Sequence, residues 1–113
     1  MKSDGENSGH RLQRLQQLLL EELQALFEDE LSDPRLSEVR PLAVSLSPDY
    51  RHARVHCVAA SSGPGRSAIE QGLAKATGFL RRRIADAIEL KHVPELRFIV
   101  DERADSGAAG DDA

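Results

Sequence analysis

Three consecutive arginines, Arg81, Arg82 and Arg83, follow Gly78 after two intervening residues in the stretch "AKATGFLRRRIA". At 100° per residue on a helix they fan over about 200° of its surface. Leu80 and Ile84 mark the buried side, so Arg82 points outward, with Arg81 and Arg83 flanking it. Lys75 lies just before the glycine and Arg66 in the preceding loop. Guanidinium groups match phosphate oxygens in a planar fork, so this set suits a polyanion backbone. Glycine inside a helix costs roughly 1 kcal/mol relative to alanine. A break at Ala76-Thr77-Gly78 would create a new helix start. Its unpaired amides would favour phosphate, and the Thr77 hydroxyl could cap it. Lys75, Ala76, Thr77, Gly78, Arg81, Arg82 and Arg83 are therefore the expected phosphate-backbone-binding residues, with Arg66 and Arg54 as outlying members.

Other reactive side chains do not converge. His52 and His56 would suit a metal if four apart on a helix. On a strand they lie about 13 Å apart, too far for one ion. Cys57 faces away from His56 and reads as a small core residue. Asp49 is explained by a turn, and Glu95 has no acid–base partner in view. No phosphate-binding Gly-Lys loop occurs. No catalytic residue, metal site or cofactor is expected, and the chain reads as a non-enzyme. The rings are Phe27, Tyr50, Phe79 and Phe98. So few argue against base stacking and for backbone and arginine contacts.

These residues sit on elements legible from spacing. Leu12, Leu15, Leu19, Leu23 and Leu26, continued by Phe27 and Leu31, make a helical stripe that Ser32-Asp33-Pro34 ends. "PLAVSLS" alternates with Leu42, Val44 and Leu46 on one face; "HARVHCVAA" alternates with Ala53, Val55, Cys57 and Ala59 inward, leaving Arg54 and His56 outward. "SPDYR" is the turn between them. After the loop "SSGPGRS", Ile69, Leu73, Leu80, Ile84 and Ile88 keep one helical face. "ELRFIVD" closes as a strand with Leu96, Phe98 and Val100 inward. With a break at Gly78 the order is α-β-β-α-α-β: an α+β fold, a three-stranded sheet packed against helices.

The 113 residues fit one domain, and one cysteine permits no internal disulfide. No apolar run reaches membrane-spanning length, and a cytoplasmic protein is expected. The net charge of −4 is uneven. Asp101, Glu102, Asp105, Asp111 and Asp112 outweigh Arg103 by four at the C-terminal end, and residues 1–10 contribute −1. Residues 11–100 therefore stand at +1 despite the acidic block Glu21, Glu22, Glu28, Asp29 and Glu30. Local charge, not the total, steers a polyanion. The polar ends are expected to be disordered tails, 1–10 and 103–113, around a folded unit at 11–102.

Four stretches taken in order resemble the ribosome-binding factor A family: "DPRL" at 33–36, "VSLSPDYRHARV" at 44–55, "KATGFLR" at 75–81 and "VPELRF" at 93–98. The resemblance implies a type II KH-like domain over 11–102. There an Ala-x-Gly kink, matched by Ala76-Thr77-Gly78, replaces the backbone-clamping GxxG loop of KH domains. It further implies binding to the free, immature 30S subunit near the 5′-terminal helix of 16S rRNA, in late maturation, as a monomer without DNA or membrane partners. An alternative is a protein-interaction module that engages a ribosomal protein or assembly factor through the acidic first helix.

Overall fold

The computed structural model describes residues 2–60 and 63–103. Helix α1 spans Lys2–Asp29 and α2 spans Arg66–Ala87; strands are β1 Val39–Leu46, β2 His52–Ala60 and β3 Glu95–Arg103. A 3-10 turn at Pro34–Leu36 joins α1 to β1. The sheet order is β1-β2-β3, with β1 and β2 antiparallel and β2 and β3 parallel. Both helices cover one face. Leu19, Leu23 and Leu26 of α1 and Ile69, Leu73, Leu80 and Ile84 of α2 share one core with Ala53, Val55, Cys57 and Ala59 of β2. This is the α+β arrangement that the spacing predicts, with one difference: two helices pack on the sheet, not three.

The described backbone extends beyond the expected folded unit, 11–102, at the N-terminal end and by one residue at the C-terminal end. The backbone of residues 2–10 continues α1. The packed leucine stripe supplies the costly nucleus, and propagation from it adds one hydrogen bond per residue. At the other end β3 includes Arg103, while 104–113 lie outside the described residues.

Leu42 departs from its expected inward position and is 50 % exposed. A bulge between Pro41 and Ala43 shifts the register against β2, so Val39, Pro41, Val44 and Leu46 face the core. One extra residue in a strand reverses the alternation on either side of it. The β1–β2 turn forms as expected. Asp49 Oδ1 accepts from Ser47 Oγ at 2.7 Å and from the Arg51 amide at 3.0 Å. Tyr50 takes the left-handed conformation there, with φ 67°.

The connection from α1 is tightly built. Asp33 caps the 3-10 turn by accepting the Arg35 amide at 3.0 Å, and its Oδ2 lies 2.7 Å from Arg35 Nη2. These hydrogen bonds from Arg35 lower the Asp33 carboxyl to about 2. Leu36 then inserts against α2 at Gly72. A Cβ on Gly72 would lie 3.2 Å from Leu36 Cδ2 and 3.3 Å from Asp33 Oδ2. Gly72 is thus the point of close approach between the turn and the helix.

Candidate nucleic-acid interface

Helix α2 begins after Gly65, whose φ of 100° is a conformation glycine adopts without strain. Its first residue, Arg66, donates from Nη1 to the Val100 carbonyl at 2.8 Å. That bond staples the start of α2 to β3. Expected to reach for phosphate, Arg66 is instead committed to holding the helix on the sheet.

The expected break at Ala76-Thr77-Gly78 is absent. The helix is continuous over its 22 residues. The reason lies in the stripe itself: Leu73 and Leu80 are seven apart, nearly two full turns, so the buried face keeps its phase across the glycine. Ala76 and Thr77 fill the gap, half-buried. The Thr77 hydroxyl donates to the Leu73 carbonyl at 2.8 Å, a bond within the helix and not a cap. No second helix start exists here to offer bare amides, and the α-α order is corrected to a single α2.

The arginine fan divides into three roles. Arg81 donates from Nη2 to the Val93 carbonyl at 2.8 Å and from Nε to the Pro94 carbonyl at 3.2 Å. This clamp draws the 88–94 connection against the helix. Arg83 pairs with Glu30 at 3.2 Å and lies 5.7 Å from the Phe79 ring centroid, joining α2 to the end of α1. Arg82 remains exposed, and among the described residues it makes no ion pair. Part of the acidic block is thereby internal: Glu30 is engaged by Arg83, while Glu28 and Asp29 stay exposed.

Because Arg81 holds Val93 and Pro94, the residues before them come to rest beside Arg82. The result is an open hollow of about 610 Å³ lined by Gly78, Arg81, Arg82, Ala85, Lys91, His92 and Val93. No described carboxylate lines it. Gly78 is exposed on its wall, and a Cβ there would meet only Arg82 Nη1, at 3.6 Å, an ordinary contact. Packing therefore does not demand this glycine. An exposed helical glycine that packing could spare leaves bare backbone where a ligand can approach closely. The hollow presents three full cations, Arg81, Arg82 and Lys91, an imidazole and a bare helix turn, a surface chemically suited to phosphate oxygens.

The ribosome-binding factor A family model matches residues 11–113. The chain belongs to this family. Ribosome-binding factor A of Heliobacterium modesticaldum is 37 % identical over 100 residues, covering 88 % of this chain and 83 % of the relative. The crystal structure of ribosome-binding factor A from Thermus thermophilus superposes with a TM-score of 0.62 at 28 % identity, over 82 % of this chain and 93 % of that one. A homology model of the Thermus thermophilus protein, fitted into a cryo-EM map of its complex with the 30S subunit, gives a TM-score of 0.57 at 30 % identity. It covers 80 % of this chain and 91 % of that one.

On this family member the expected RNA-binding residues do not form one cluster. Gly78, Arg81 and Arg82 line the hollow together. Lys75 and Ala76 line a different recess, with Glu30, Asp33 and Gly72. Arg54 lies on the far face of the sheet, alternating with buried Ala53 and Val55. Spacing along α2 does not reveal Lys91, which completes the hollow with His92. A signal was present nonetheless. A basic pair sits in the short connection that must pass the end of α2 before β3 begins.

Proposed function

We propose that this ribosome-binding factor A family member docks on the free 30S subunit and lays the Gly78–Arg82–Lys91–His92 hollow on the phosphate backbone of 16S rRNA. It acts without catalysis, assisting late maturation and 5′-end processing of that RNA. The observation that carries this reading is the hollow itself: exposed cations with no described carboxylate among them, beside a glycine that packing does not require. The Thermus thermophilus neighbour fitted into a 30S complex supports the choice of partner. Scarcity of rings on the surface favours phosphate and shape over base stacking.

Sedimentation with purified 30S subunits tests it. Arg82→Glu is expected to reduce co-sedimentation while leaving the melting temperature unchanged, since the side chain has no described partner to lose. With naked 16S rRNA, Arg82→Ala should lower the log–log salt slope by about 0.7 to 0.9, the value for one phosphate contact. Undiminished association of Arg82→Glu would sink the assignment. Binding to 30S particles with no affinity for naked RNA would favour capture of a protein through α1. Precursor rRNA incubated with the protein should stay intact.

A further inference from the structure

Strand register builds a second cationic surface, on the side of the sheet turned away from both helices. In the parallel pairing of β2 with β3, Arg54 stands opposite Arg97; on the other side of Arg54 stands Ser45 of β1. Both arginines are exposed. Adjacent strands lie about 4.8 Å apart, so two like charges sit side by side on one face. Such a pair is unfavourable without a counter-charge. Among the described residues neither guanidinium makes an ion pair.

The surroundings favour a polyanion. The next row of the face holds Ala43, His56 and Ile99, with no phenyl, phenol or indole ring to receive a base. Toward the β1–β2 turn the face dips into a hollow of about 660 Å³, whose lining includes Ser45, Ser47, His52, Arg54, Glu95 and Arg97. Glu95, the acidic member of that set, faces His52 instead, with Oε1 at 3.5 Å from Nδ1. Two guanidinium groups against one carboxylate leave the lining of this hollow net positive.

We propose that Arg54 and Arg97 form a second phosphate-binding site, gripping the ribose–phosphate backbone of an RNA segment other than the one at the α2 hollow. The RNA nature of the ligand rests on the reading given under Proposed function; the two-arginine site rests on the sheet register. Two guanidinium forks side by side match successive phosphates along one strand. A face that offers guanidinium groups and no phenyl, phenol or indole ring takes the backbone and leaves the bases unread. Since α2 and this face lie on opposite sides of the sheet, one chain bridges two RNA segments and holds them at the thickness of the domain.

The experiment compares Arg54→Ala/Arg97→Ala with Arg82→Glu, first on naked 16S rRNA across a salt series and then on 30S subunits. The double variant should bind naked rRNA about tenfold more weakly, with a salt slope lower by about 1.4 to 1.8, the sum for two phosphates. Arg54→Lys/Arg97→Lys should keep most of the slope, because it keeps the charge. Should the alanine variant melt early, Arg54→Gln/Arg97→Gln carries the same comparison. Unchanged affinity and slope in the double variant, with Arg82→Glu impaired, overturns the second site and leaves the α2 reading intact. Loss on 30S subunits with naked rRNA binding unchanged assigns the face to an acidic protein surface and overturns the RNA site. Full binding by both sets of variants overturns both.

Discussion

Replacing Gly78 with alanine separates a continuous α2 from a broken one. In a regular helix interior, alanine is better than glycine by about 1 kcal/mol, because the glycine chain loses more freedom on folding. The added methyl meets only Arg82 Nη1 at 3.6 Å, so no clash offsets the gain. Gly78→Ala should therefore stabilise the isolated protein by about 1 kcal/mol, raising its melting temperature by about 4 to 8 °C for a domain of this size. Urea and thermal unfolding followed by circular dichroism read this directly. Gly72→Ala is the control with the opposite sign. Its methyl would press on Leu36, which is only 2 % exposed and cannot yield, so a loss of about 1 to 3 kcal/mol is expected. On 30S subunits Gly78→Ala should bind more weakly despite its higher stability, because the methyl covers the bare turn. A destabilised Gly78→Ala would mean that residue 78 leaves helical geometry in solution, and the account of α2 would fall with it.

Arg81→Ala should cost about 1 to 3 kcal/mol by stranding the Val93 and Pro94 carbonyls. It should also raise amide exchange across 88–94, and Arg81→Lys should not rescue it, since one ammonium cannot replace the fork. Asp33 is held near 2, below its usual 3.8, so its stabilising contribution is complete above about pH 4 and disappears as pH falls toward 2. Unfolding curves of the wild type and Asp33→Asn should accordingly converge over that window; parallel curves would remove the Arg35 hydrogen bonds as the cause. Burial pushes the Cys57 thiol up to about 12. Its reaction with a thiol reagent at neutral pH should therefore track denaturant-induced unfolding, whereas fast labelling of the native protein would contradict its place in the core.

Periodicity determined much by itself. The leucine stripe of α1, the alternation of β2 and β3 and the Asp49 turn were legible because each records contacts within one element or one turn. So was the single face running from Ile69 to Ile84. That face in fact contradicted the break inferred from Gly78: a seven-residue step keeps phase only if the helix continues. The family also lay in the chain order of short motifs. Tertiary structure alone decided which arginines are available. Arg66, Arg81 and Arg83 differ little from Arg82 in sequence, yet three find a carbonyl or a carboxylate on a distant element, and one does not. It also set Lys91 and His92 beside Arg82, and Arg54 beside Arg97. A guanidinium's partner depends on what the chain brings within about 3 Å, and spacing along one helix or strand carries no record of that distance.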